Sequence, residues 1–146
     1  MMDQLYQEII LDHYKHPHGR GLRDPYAGEA HHVNPTCGDE ITVRVTGDLS
    51  DISYDGMGCS ISQASISAMY DLVMGKTVTE ALEAGEHFMT LMQAKGDPAV
   101  AEKLEDELED AVAFAGVSKY PARVKCALMS WMALKDASAR ALGAQS

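Results

Sequence analysis

Strand patterning is confined to one short part of this 146-residue chain, between residues 29 and 54. Apolar and polar residues alternate over residues 41–45, which predicts a strand with one buried face. Gly47-Asp48 predicts a turn into a second strand over residues 52–54, and residues 29–33 predict a third strand at the edge. Three short antiparallel strands are stable only when helices cover one face, so the rest of the chain must supply those helices.

Helical spacing of apolar residues governs the remainder of the chain. The first helix is predicted to end before Pro17, because proline disfavours a helical conformation in the residue before it. An acidic helix with its N-cap at Asp97 is predicted to continue to Gly116. Four predicted helices follow the strands and begin, in order, near Ile61, Thr77, Asp97 and Pro121.

The order of these patterns predicts the fold class. Strands come first and helices follow, without the strand–helix alternation that a doubly wound parallel sheet requires. The length of the chain suits one compact domain with a single core. We therefore expect an α+β fold, a single domain over residues 1–146 in which a three-stranded antiparallel sheet packs against several helices.

The charge balance narrows the classes of partner. Twelve basic and 22 acidic residues give a net charge of −10. Such a surface repels phosphate backbones, so we expect no nucleic-acid partner, and a docked protein would present a basic patch. No apolar run approaches the length of a membrane span, and the acidic start of the chain is no signal peptide. The sequence therefore predicts a cytoplasmic protein that does not bind membranes.

Three cysteines, Cys37, Cys59 and Cys126, are the side chains that most clearly suggest chemistry. An odd number cannot pair fully within one chain, and cytosolic thiols stay reduced, so disulfides are the least favoured interpretation. Three thiolates and the nearby Asp39 carboxylate can complete a four-coordinate site for zinc or for a small iron–sulfur cluster. Two simpler alternatives stay open: Cys126 as a small buried apolar residue, and Asp39 as a turn residue.

The local sequence around these residues favours ionised thiols. Gly38 separates Cys37 from Asp39 and would allow both side chains to turn towards one ion. Cys59 lies where a strand gives way to a helix, and a helix N-terminus stabilises a thiolate. Arg123 precedes Cys126 by three residues and shares its helix face, where a guanidinium would favour a thiolate or bind an anionic sulfur species.

The histidines offer a weaker case for metal binding. His13 and His16 are close to one helical turn apart and could bind a metal, but we expect them at the surface near a helix end. His31 and His32 would point to opposite faces of a strand, so at most one of them could join a site.

Four motifs occur in a set order along the chain: Asp12–Pro17, Asn34–Asp39, Gly56–Ser62 and Arg123–Cys126. Together they resemble the U-type iron–sulfur assembly proteins, and among these the SufU type, over nearly the whole chain. The resemblance implies an IscU/SufE-like fold. It also implies one shared metal site, whose ligands would be Cys37, Asp39, Cys59 and Cys126.

The family contains two functional types, and three departures bear on the choice between them. Scaffold members build a [2Fe–2S] cluster, and they carry a histidine beside the third cysteine and a proline-rich chaperone-recognition motif before it. Here Lys125 stands in the place of that histidine, and residues 118–123 lack the motif. A helical insertion at about residues 97–116 also lengthens this part of the chain. These departures favour the SufU type.

The SufU type implies a zinc-dependent sulfurtransferase that accepts sulfur from a pyridoxal-phosphate cysteine desulfurase of the SufS type. Persulfide sulfur would pass to Cys37, whose glycine-flanked loop should move most easily, and then to downstream iron–sulfur assembly proteins. Arg123 would orient the partner or the sulfur. Two alternatives remain: a scaffold that holds a [2Fe–2S] cluster on the same four residues, and a purely structural zinc site.

Overall fold

The structure is a computed structural model that describes residues 2–35, 38–48 and 50–145. An N-terminal helix precedes three strands, and further helices follow them. Between the last two α-helices lies a 3₁₀ helix over Glu109–Lys119, here called the 3₁₀ segment. The other elements are α1 (Met2–Lys15), β1 (Gly28–Asn34), β2 (Asp39–Val45), β3 (Ile52–Met57), α2 (Ser60–Val73), α3 (Val78–Gln93), α4 (Pro98–Leu108) and α5 (Pro121–Gln145).

The three strands form one antiparallel sheet in the order β1-β2-β3. The predicted alternation places one side of β2 in the core, and Val43 pairs with the buried Ala30 on one side and with the buried Tyr54 on the other. The strand predicted over residues 29–33 lies at the edge, as expected. The α+β prediction is therefore confirmed.

The helices cover one face of this sheet, and α5 contacts β1, β2 and α2. The contact is close at Gly28, where a Cβ atom would overlap the backbone oxygen of Ala137 in α5. Both predicted helix starts are confirmed, since Thr77 forms a capping box with Glu80 and Asp97 caps α4. Among the described residues no helix is long and apolar enough to cross a membrane.

The acidic helix predicted to reach Gly116 is wrong beyond Leu108. The chain turns at Glu109, whose φ is +48°, and continues as the 3₁₀ segment. The reason is burial: residues 111–115 are all buried, whereas a regular amphipathic helix buries a single stripe. Phe114 anchors this segment against Phe88 of α3, with ring centroids 6.0 Å apart in an edge-on contact.

Candidate metal centre

Three ligand-type side chains converge where the sheet meets the helices. Asp39 begins β2, Cys59 precedes the first residue of α2, and Cys126 lies near the start of α5. One carboxylate oxygen and the two sulfur atoms all lie within 4.8 Å of one another. The fold thus brings together three of the four predicted metal ligands, although Cys126 is 87 residues from Asp39 in the sequence (126 minus 39).

The Asp39 carboxylate is fully buried and is positioned by the residue that caps α2. Its Oδ1 accepts a hydrogen bond of 2.8 Å from the backbone N–H of Cys59. Its Oδ2 lies 3.7 Å from the Cys59 Sγ. The turn-residue alternative for Asp39 therefore does not apply, because the side chain points into the site.

Gly58 makes the room that the carboxylate occupies. Its φ is +147°, in the region that favours glycine, and a Cβ atom there would overlap Oδ1 of Asp39. The sequence indicated only that this glycine allows a tight strand end. Its contact with a residue 19 positions earlier (58 minus 39) could not be found from local patterns.

The two cysteines occupy different environments. Cys59 is half-buried at the N-terminus of α2. Cys126 is fully buried, and its Sγ lies 3.7 Å from the backbone oxygen of Ala122. Cys126 is thus a buried residue, as the simpler alternative predicted, and also a member of the cluster.

Cys37, the predicted sulfur acceptor and fourth ligand, lies outside the described residues, so its role stays a prediction. Gly38 has a φ of +70°, and apart from its chain neighbours no described residue lies within 4 Å of the position that its Cβ would take. Arg123 is exposed and lines a cavity of about 620 Å³, together with Ser60 and Ile61. This cavity therefore reaches the residue that follows Cys59.

The histidines do not join this cluster. His31 and His32 face opposite sides of β1, as predicted, since His31 contacts Thr42 of β2 whereas His32 contacts Asp136 of α5. The prediction that His13 lies at the surface is wrong, because its side chain is only 1% exposed. Burial follows from two elements that cover the end of α1, namely α2 and the 3₁₀ segment.

The residues present suit a bound metal ion. Burial of an ionised carboxylate is costly unless it is paired or coordinates a metal, and the described neighbours of Asp39 at this site are a backbone N–H and a thiol. Two sulfurs with one carboxylate oxygen are ligands that zinc accepts in tetrahedral sites. Thiolates also hold iron–sulfur clusters, so the ligand set alone does not decide between a zinc ion and a cluster.

The sequence model of the family described as NifU-like N terminal domain matches residues 5–127. This match covers most of the chain, and the chain therefore belongs to that family, the U-type iron–sulfur assembly proteins. The resemblance inferred from the four motifs is confirmed.

Particular relatives extend this similarity over nearly the full length. The chain is 42% identical to the zinc-dependent sulfurtransferase SufU of Bacillus subtilis, over 97% of this chain and 95% of that protein. It is 41% identical to the iron-sulfur cluster assembly scaffold protein IscU of Streptococcus pyogenes, over 99% and 89%. A crystal structure of a candidate scaffold protein for the SUF system from Fervidobacterium islandicum AW-1 superposes with a TM-score of 0.79, at 34% identity over 92% of this chain and 97% of that one.

Proposed function

We propose that this protein is a zinc-dependent sulfur acceptor in iron–sulfur cluster biogenesis. The observation that carries the proposal is the convergence of Asp39, Cys59 and Cys126 around a fully buried carboxylate. The 42% identity to a zinc-dependent sulfurtransferase supports it. We place the reaction in the cytosol, where thiols stay reduced.

Asp39, Cys59 and Cys126 would hold the zinc, with Cys37 as the fourth ligand. Bound zinc would keep the thiols deprotonated at neutral pH, and the thiolate is the nucleophile in sulfur exchange. Asp39 needs no movement to serve, because the Cys59 N–H already holds Oδ1 and leaves Oδ2 on the side of the sulfur atoms.

The proposed reaction is one exchange at a sulfur atom. The Cys37 thiolate attacks the outer sulfur of a persulfide on the cysteine desulfurase, and the bond between the two sulfurs of that persulfide breaks. The desulfurase cysteine leaves as a thiolate, and Cys37 becomes the persulfide. No net oxidation or reduction occurs, so the step requires no further reactant.

The cavity beside the cluster supplies the proposed docking side for a SufS-type desulfurase. Its charged lining residues are Lys119 and Arg123, which stand out in a chain of net charge −10. Two cations at this place would attract an anionic persulfide. Arg123 would orient the sulfur or the partner, and downstream iron–sulfur assembly proteins would then receive the sulfur from Cys37.

We also propose that residues 97–116 are a helical insertion in the domain, which the Streptococcus pyogenes protein would share because its similarity spans 99% of this chain. In the structure this stretch comprises α4 and most of the 3₁₀ segment, and it packs against α1 and α3. Within this stretch, Oδ2 of Asp110 lies 2.9 Å from Nε2 of the buried His13. The insertion would therefore stabilise the end of α1 rather than extend away from the domain.

A scaffold for a [2Fe–2S] cluster is the second candidate. The same three ligands favour it, because a carboxylate oxygen in place of a fourth thiolate would ease release of a cluster. Anaerobic addition of iron and sulfide separates the two functions. A native mass that keeps one zinc per chain supports the sulfur acceptor, whereas replacement of zinc by two irons and two sulfides supports the scaffold.

Direct transfer of sulfur tests the first proposal. The full-length protein is incubated with a pyridoxal-phosphate cysteine desulfurase and cysteine, and peptide mass spectrometry locates the added sulfur atom. We expect it on Cys37, and we expect Cys37→Ser to abolish stimulation of the desulfurase while the chain stays folded. Arg123→Ala should reduce the transfer rate, and Arg140→Ala, at the exposed far end of α5, is the matched control. Full transfer in Cys37→Ser would contradict the proposal.

A further inference from the structure

A second group of ligand-type side chains lies away from the group of Asp39, Cys59 and Cys126, here called the thiolate cluster. One ring nitrogen of His13, one of His18 and one carboxylate oxygen of Asp71 lie within 4.8 Å of one another. We propose that these three residues form a separate binding site for a divalent cation of the zinc class.

His13 presents the arrangement that is common among metal-binding histidines. Its side chain is buried, its Nε2 lies 2.9 Å from Oδ2 of Asp110, and its Nδ1 lies 2.7 Å from Oγ of Ser67. A neutral ring that donates its Nε2–H to Asp110 has its lone pair on Nδ1, where the Ser67 hydroxyl donates to it, and a bound cation would replace that hydrogen bond. Metal-ligating histidines typically donate their other ring N–H to a carboxylate, which fixes the tautomer and makes the ligand more basic.

His18 is held in place through its backbone. Its N–H donates to Oγ of Ser67 at 2.8 Å, and its carbonyl oxygen accepts from the Tyr54 hydroxyl at 2.6 Å. Both partners are buried. Gly19 follows with a φ of +76°, and a Cβ atom there would overlap the ring of Tyr70, so the turn after His18 is fixed as well.

Asp71 is the third proposed ligand, and small side-chain movements would bring all three ligand atoms to the spacing of a metal site. Nδ1 of His18 lies 2.5 Å from Oδ2 of Asp71, and the ring centroids of His13 and His18 are 4.9 Å apart. Ligand atoms of a tetrahedral zinc site are separated by roughly 3.3 Å. The side chains of His18 and Asp71 are 44% and 39% exposed, so both can rotate towards an ion and leave room for water.

The ligand chemistry selects among cations. Two imidazoles and one carboxylate suit Zn²⁺ and its transition-metal neighbours, whereas Mg²⁺ and Ca²⁺ prefer oxygen ligands. Asp71 and Asp110 supply two negative charges, and the net charge of −10 adds a favourable field for cations.

This site is distinct from the thiolate cluster. Asp71 lies 12 residues beyond Cys59 along α2 (71 minus 59), which corresponds to about 18 Å at 1.5 Å per helical residue. A cation there would join the segment that follows α1 to both α1 and α2. The proposal is independent of which ion or cluster the thiolate centre carries.

Calorimetric titration of the full-length protein, isolated with its thiolate centre loaded, tests the site with Zn²⁺ alone. We expect one additional zinc per chain, and no comparable binding of Mg²⁺. His18→Gln and Asp71→Asn should each weaken this additional binding at least about tenfold, and Asp110→Asn should weaken it by about 10–100-fold. His16→Gln is the matched control, since His16 is exposed in the same segment and should leave the binding unchanged.

Two results would overturn the proposal. One is the absence of additional zinc, or additional zinc that His18→Gln and Asp71→Asn leave unchanged, as expected for adventitious surface binding. The other comes from imidazole ¹⁵N resonances followed during the titration. We expect the signals of both His13 and His18 to shift, and a shift confined to His18 would exclude His13 as a ligand.

Discussion

The two clusters differ in how much of their charge the protein itself neutralises. In the thiolate cluster, Asp39 is fully buried and receives one backbone hydrogen bond from Cys59. In the group of His13, His18 and Asp71, here called the histidine cluster, Asp71 is 39% exposed, and both ring nitrogens of His13 already have partners. Among the residues that the structure describes, the more deeply buried carboxylate, Asp39, therefore receives less compensation than Asp71.

Because of this difference, we expect a bound cation to affect stability differently in the thiolate cluster and in the histidine cluster. A buried carboxylate with little compensation gains most from a bound ion, because its desolvation is otherwise unrecovered. A histidine that is already hydrogen-bonded contributes to the fold with or without an ion. We therefore expect the stability contribution of the thiolate cluster to depend chiefly on metal, whereas that of His13 is present without metal and increases when zinc binds at His13, His18 and Asp71.

Gly58→Ala should have the largest effect. The new Cβ would overlap Asp39 Oδ1 at a φ of +147°, so the carboxylate must move and the cluster should lose its metal. We expect a loss of about 2–5 kcal/mol in unfolding free energy from overlap and backbone strain. Urea unfolding and zinc content by native mass spectrometry measure both effects.

Gly75→Ala is the control for this prediction. Gly75 also has a positive φ, of +83°, but apart from its chain neighbours no residue in the described part of the chain lies within 4 Å of the position of its Cβ. It should therefore show backbone strain without loss of zinc. Equal zinc content in the two variants would contradict the role assigned to Gly58.

His13→Ala should cause the second largest loss in unfolding free energy. Asp110 loses its contact with His13, Ser67 keeps only its hydrogen bond from the His18 N–H, and the buried ring leaves a void, so we expect about 2–3 kcal/mol of destabilisation. Measured by urea unfolding, this loss should already be present in chelator, and it should be larger with zinc because His13 is a proposed ligand. His16→Ala, at an exposed position, should change stability by no more than about 0.5 kcal/mol. A loss seen only in the presence of zinc would reverse the comparison between the two clusters.

The effect of Asp39→Asn on stability should have opposite signs without and with bound metal. The amide keeps an oxygen that can accept from the Cys59 N–H but removes the buried charge. In chelator we expect the variant to be about 1–2 kcal/mol more stable than the native chain, because no charge is left uncompensated. With zinc present the variant should be the less stable of the two, because it binds the ion more weakly. Thermal unfolding in both conditions measures the crossover, and the same sign in both would show that metal does not compensate Asp39.

Asp136→Asn should have the smallest effect. Its hydrogen bond with His32, together with burial opposing it and the charge of Arg140 assisting it, sets the pKa of Asp136 below its usual value. A lowered pKa in the folded state stabilises the protein above the ordinary carboxyl pKa, and this contribution is lost as the pH falls through the lowered value. The carboxylate is 37% exposed, so solvent screening limits the effect to about 0.5 kcal/mol or less.

The pH dependence of unfolding checks this last prediction. Between about pH 5 and pH 2 the native chain should lose slightly more stability than Asp136→Asn. His32 and Asp136 alone offer too few ligands for a metal site, so we expect the same zinc content in the native chain and in Asp136→Asn. An identical pH dependence in the two chains would mean that the His32 contact contributes nothing to stability.

Local sequence was sufficient where a structure depends on near neighbours. The capping box at Thr77, the N-cap at Asp97 and the edge strand over residues 29–33 all follow from side chains within a few positions of one another. The motifs around Asp39, Cys59 and Cys126 likewise predicted side chains that the fold brings within 4.8 Å of one another, and their role as metal ligands stays a prediction.

Tertiary structure alone decided the burial of His13 and the break after Leu108. His13 is buried because Ser67 and Asp110, 54 and 97 residues away, are brought against it. The acidic pattern from Asp97 continues past Leu108, but packing of residues 111–115 between α1 and α3 forces a different helix. Periodicity records which face of an element is apolar, whereas burial on every side depends on which distant elements pack against it.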